Sequence, residues 1–101
     1  MKTSELSGVQ LDWAVAKAEG YPDEDILVDY LNYSADWRLG GSLIEREKIA
    51  LFLNGNDEWA ATDGIKNAVG DTPLIAAMRC YVASGLGDEV EIPNDLLEEE
   101  A

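Results

Sequence analysis

The chain contains no histidine, which removes the commonest general base and the commonest metal ligand together. Its one cysteine, Cys80, falls inside an apolar helical pattern, where a buried small side chain is expected rather than a reactive thiol. Serines and threonines occur without a GxSxG elbow, an SxxK pair or a P-loop around them. No acidic run has the DxDxDG spacing that calcium requires. Glu45 with Glu47, or Asp57 with Glu58, is spaced as an acid–base pair could be. With 21 acidic residues in the chain, such spacings arise by chance, and a solvated face accounts for them. The residues therefore predict a protein that is not an enzyme and needs no metal or cofactor.

Binding chemistry is better represented. Arg38, Gly40, Gly41 and Ser42 would place a guanidinium, two unhindered backbone amides and a hydroxyl beside a helix N-terminus, an arrangement suited to phosphate. Arg79 offers a second cation, and Tyr33, Trp37 or Trp59 could stack a nucleotide base. A glycine turn with an arginine paired to a nearby acid explains the same residues without any ligand. The strongest signal is the net charge of −14, from seven bases against 21 acids. Nucleic-acid binding rests on Lys and Arg neutralising phosphates and is not expected. An anionic membrane surface would repel the chain, and no apolar run approaches the length a bilayer demands. With no charged-then-apolar leader and a single cysteine, a soluble cytoplasmic protein is expected. Basic protein surfaces would attract it at long range.

The elements that must position these residues follow from caps and periodicity. Residues 70–90 carry the clearest helix. Asp71 or Thr72 can cap it, Pro73 suits its first position, and Gly85 or Gly87 can end it. Leu74, Ala77, Met78, Tyr81 and Val82 make one apolar stripe. A first helix is predicted over residues 8–19, with a capping box of Ser7 and Gln10 and a stop at Gly20. Its buried face is Leu11, Ala14, Val15 and Ala18, with Trp13 at the edge. Residues 25–31 alternate as a short strand. Ser34 and Ser42 read as caps of two helical pieces interrupted at Gly40-Gly41, the alternative being a glycine hairpin with a strand over 43–47. Residues 49–53 read as a strand, Asn54-Gly55 as a two-residue hairpin turn, and Trp59 to Ala61 as the return strand. A polar loop over 63–70 and a short edge strand at 89–92 complete the pattern. The prediction is one α+β domain over residues 1–93, with helices packed on an antiparallel sheet of three to four strands in an α/β/α sandwich-like arrangement. Residues 94–101 read as an acidic C-terminal tail. The exposed side of the sheet, with Trp59 on it, could form a symmetric homodimer.

LDWAVAKAEG (11–20), YSADW (33–37), GGSLIEREKI (40–49), DEWAA (57–61) and TPLIAAMRCYVASGLGDEVEIP (72–93) together resemble the NinX-like family of small phage and prophage proteins. More distantly, the chain is similar to the phage ABA-sandwich domain. The resemblance covers nearly the whole chain in order, and its last segment is the most specific. It implies a sheet between helical layers and a phage or prophage origin, and it brings no biochemical activity with it. Small non-enzymatic phage proteins frequently inhibit a host factor, so the basic partner is expected to be a host protein. A small anionic ligand, such as a nucleotide signal, is the alternative. Ser42 stands where family members often carry proline, and residues 23–29 form an extended acidic stretch. Trp13, Tyr33, Ser34, Asp36, Trp37, Glu45, Arg46, Trp59 and Arg79 match the motifs without an evident core role.

Overall fold

The computed structural model describes residues 1–28 and 30–98. After a 3-10 turn at Thr3–Glu5, helices α1 (Gly8–Ala18) and α2 (Trp37–Glu47) lead to strands β1 (Ala50–Leu53), β2 (Trp59–Thr62) and β3 (Asn67–Gly70), then to α3 (Pro73–Leu86) and α4 (Asn94–Glu98). The strands form one antiparallel sheet in the order β1-β2-β3, so the α+β class holds. Leu51, Ala61 and Ala68 stand opposite one another across it.

Helix α3, not the sheet, is the middle layer, so the expected α/β/α order of layers is corrected while the α+β class stands. The Thr72 side chain accepts the Ile75 N–H, Pro73 opens the helix, and Gly87 at φ 97° follows its end. Leu74, Ala77, Met78 and Val82 are buried as the stripe predicts, and so are Ala76, Cys80 and Ala83. The extra burial has a simple cause. α1 and α2 pack on one side of α3 while all three strands pack on the other, so two faces are covered. Its alanines let both layers approach closely.

Helix α1 ends as expected on left-handed Gly20 (φ 99°). Gly20 N–H donates to Lys17 O at 3.0 Å and Tyr21 N–H to Ala16 O at 3.2 Å, which satisfies the last carbonyls. The capping box does not form: Ser7 makes no side-chain cap. Gln10 is buried instead, and its Nε2 donates to Leu96 O on α4 at 3.3 Å. Trp13 is buried rather than at an edge, and Ile26, Val28, Pro93 and Leu96 line a hollow beside it.

Several further expectations are corrected. The strand over 25–31 is absent from the described residues, among which Asp29 is not. Asp23–Asp25 form a 3-10 turn, and Leu27 O accepts both Tyr30 N–H and Leu31 N–H at 3.0 Å. An alternating run with no neighbouring strand closes its backbone bonds locally.

The interrupted helix is continuous through Gly40-Gly41, so residues 43–47 are helical and the glycine hairpin is also excluded. Asp36, not Ser34 or Ser42, caps it by accepting Arg38 N–H at 2.9 Å. A Cβ on Gly40 would lie 2.6 Å from Leu74 Cδ2 and 2.6 Å from Tyr33 O. Close packing against α3 thus requires glycine, at the usual helix-propensity cost of about 1 kcal/mol.

The hairpin exists, but Asn54 shapes it through its side chain: Oδ1 accepts Asn56 N–H at 2.9 Å and Glu58 N–H at 3.2 Å. Asp57, at φ 62°, takes the left-handed position. The loop over 63–70 contains β3, a strand with only Ala68 and Val69 as apolar signal.

At the chain ends, residues 89–92 form no strand, only a bridge between Lys2 and Glu89. Met1 and Val90 exchange two backbone bonds of 2.9 Å beside it. The segment read as an acidic tail begins as α4, whose Leu96 packs on the core; residues 99–101 lie outside the described residues.

Candidate functional site

The proposed phosphate cradle does not assemble. Gly40 N–H donates to Asp36 O at 2.9 Å, so this amide belongs to the helix. Ser42 Oγ donates back to Arg38 O at 2.9 Å. The Arg38 guanidinium donates to Asp36 Oδ2 at 2.9 Å, which holds that carboxyl below its usual range. The sequence signal was available: Asp36 precedes Arg38 by two positions, so both cap and ion pair come from one acid.

The aromatic candidates also separate. Tyr33 is buried, and burial pushes its hydroxyl up to about 12. Trp59 is half-buried opposite Leu53 and Gly70. Trp37 is exposed beside a hollow lined by Ser34, Thr72 and Pro73, while Arg79 lines a different cleft. Of the remaining family positions, Ser34 donates its N–H to buried Asp12 at 2.8 Å. Asp12 is raised above its ordinary range by that burial. Glu45 is exposed.

Arg46 joins three helices. Its guanidinium donates to both Glu19 oxygens, at 3.2 and 2.7 Å, and to the Tyr81 hydroxyl at 3.0 Å. The hydrogen bond from Arg46 lowers the Glu19 carboxyl. Burial pushes Tyr81 up to about 12. This cluster ties α1, α2 and α3 together; every polar group in it already has a partner.

Two surfaces remain that can meet another molecule. The first is acidic. Asp23, Glu24 and Asp25 are all exposed on their turn, and the fold brings Asp23 and Asp95 to one hollow of about 280 Å³ that Trp13, Ile26 and Leu96 also line. Exposed Leu27 and Tyr30 continue the same loop. The composition of this loop is legible in the sequence, but its meeting with α4 is a long-range event.

The second surface surrounds β3 and Arg79. Arg79 Nε donates to Leu6 O at 2.8 Å and Nη1 to Val69 O at 2.9 Å. It is in no ion pair among the described residues, and burial lowers it from its ordinary value. Lys2, also in no such pair, lines the same cleft of about 250 Å³, with Thr3, Ser4, Asn67, Asp88 and Glu89. Cys80 is buried, its thiol pushed up to about 11 by that burial. Among the described residues no group of three metal-binding side chains converges, and no helix is long and apolar enough to cross a membrane.

No curated protein matches the chain. A family model described as Bacteriophage P22, NinX matches residues 2–85. That span holds the acidic turn, the whole sheet and Arg79, and leaves α4 outside. By this match, the chain belongs to the phage P22 NinX family.

Proposed function

We propose that this phage accessory protein acts by binding, docking its acidic surface on a host protein that presents a basic groove, as an inhibitor or counter-defence factor in the bacterial cytoplasm. The observation that carries the reading is the fate of the charges. Lys17, Arg38, Arg46 and Lys66 are held in ion pairs with the chain's own acids. Glu24, Asp25 and Asp95 stay exposed with no cation in ion-pair reach among the described residues. Unpaired acids beside exposed Leu27 and Tyr30 combine long-range attraction with apolar contact, the two contributions a docking surface needs.

Affinity capture from a bacterial lysate tests it, with wild type and a Glu24→Lys, Asp25→Lys, Asp95→Lys variant. A host protein should be recovered at low salt and lost both at high salt and with the variant, because a charge-steered contact weakens on screening. Recovery of nothing, or recovery indifferent to salt, overturns the reading.

The shared cleft of Lys2 and Arg79 favours a second reading, a small anion held without base stacking, since no aromatic side chain lines it. Melting temperature measured against inorganic phosphate and nucleotides should then rise with ligand concentration. A panel without any shift removes this reading.

A further inference from the structure

We propose that β1 pairs with β1 of a second copy of this chain, antiparallel and centred on Phe52, to make one continuous sheet. The alternation of bonds in an antiparallel ladder decides which backbone groups are available. Asn54 N–H donates to Glu58 O at 2.9 Å, so Asn54 and Glu58 are a bonded pair. Counting back through the register, Phe52–Ala60 and Ala50–Thr62 are bonded pairs, and Leu51 and Leu53 turn their N–H and C=O groups away from β2. The other side of the sheet gives the same count. Asp63 N–H donates to Lys66 O at 3.3 Å, which leaves Ala60 and Val69 a non-bonded pair, as Ala60's bonding to Phe52 requires.

Two outward-facing residues separated by one form a self-complementary unit. With Phe52 on the two-fold axis, Leu51 of each copy faces Leu53 of the other, and each such pair exchanges two bonds. The two Phe52 rings then meet at a non-bonded position, where side chains approach most closely. Phe52 is 50% exposed and shares its sheet face with Ala60 and Val69, so the two apolar rows become one.

Charge selects a second copy as the occupant. β1 carries no charged residue in a chain of net charge −14. Lys48, which precedes it, is in no ion pair among the described residues. Asp57 follows β1 in the hairpin tip and is exposed. Antiparallel pairing brings Lys48 of each copy to the hairpin tip of the other, so the ends of the strand are complementary while its middle is apolar.

The test combines sedimentation with cysteine cross-linking of the full chain. Wild type should show a concentration-dependent dimer that strengthens as salt rises, because screening reduces repulsion between two acidic bodies. Docking to a basic host protein responds to salt in the opposite direction, so the two readings fail separately. Phe52→Lys should weaken the dimer by about tenfold or more, with a thermal melt unchanged in dilute solution, where both proteins are monomers, showing that it folds. Phe52→Cys should form a disulfide-linked dimer under mild oxidation while Val69→Cys, on the same face at the other edge, does not; native Cys80 is buried. A monomer at every concentration and salt overturns the proposal. So does a dimer that Phe52→Lys leaves intact, or one in which Val69→Cys cross-links as readily as Phe52→Cys.

Discussion

The sheet has two edges, and they are built differently. Along β3, the Arg79 guanidinium takes the outward Val69 carbonyl and bridges it to Leu6 O in the N-terminal segment. Along β1, no hydrogen bond from another segment reaches the outward groups of Leu51 or Leu53 among the described residues. That strand reads Ala-Leu-Phe-Leu, with Leu53 59% exposed and none of the lysine, proline or bulge that usually guards an edge. Bases are scarce in this chain, yet one of the seven is bonded to two carbonyls rather than to a carboxylate. Closure of β3 is therefore part of the fold, and β1 is the edge left available.

The difference between the two edges should depend most on Arg79. Arg79→Met keeps the stem and removes two charge-assisted hydrogen bonds, so stability should fall by about 2–3 kcal/mol, read from denaturant unfolding. The variant should also aggregate more readily, because β3 becomes a second open edge. A loss under about 0.5 kcal/mol would mean that Arg79 does not hold the edge.

The turn that presents β3 should respond to pH. Asp63 accepts Ile65 N–H at 2.9 Å, Lys66 N–H at 2.8 Å and the Ser84 hydroxyl. These bonds, Ser84 first, bring its carboxyl from an ordinary 3.8 down to about 2. A folded-state value below the unfolded one means stabilisation that is complete above the unfolded value and lost as pH falls through 4 toward 2. Discounted for solvent screening, the contribution is about 1 kcal/mol. Asp63→Asn should therefore be less stable than wild type at neutral pH by that amount, and the gap should close in acid. A gap that stays constant with pH contradicts the assignment.

The smallest effect belongs to β1. Phe52→Thr should change monomer stability by no more than about 0.5 kcal/mol, since half of the ring is already in water. A large loss would show that Phe52 is part of the core.

How much of this was legible in the sequence depended on where each signal lies. The cap, proline and stripe of α3 are local, and they placed that helix correctly. Gly40 could not be read alone, because a glycine that breaks a helix and one that lets two helices touch look the same without Leu74 and Tyr33 beside it. Residues 25–31 alternate like a strand but find no neighbour, whereas β3 alternates weakly and is made a strand by β2 and Arg79. The candidate surfaces divide in the same way. The acidic run is visible as composition; the junction of Asp23 with Asp95, distant in sequence, is not. Arg79 is legible in the sequence as a cation, but its role at an edge depends on Val69 and Leu6, which only the fold brings to it.

Residue-resolved amide exchange as a function of protein concentration tests the two-edge account most directly. The Leu51 and Leu53 amides should exchange rapidly in dilute solution and become protected as concentration rises, while Phe52, bonded to Ala60, stays protected throughout. Protection of Leu51 and Leu53 already at the lowest concentration would show that the monomer covers this edge itself. Rapid exchange at every concentration would show that no second copy pairs there.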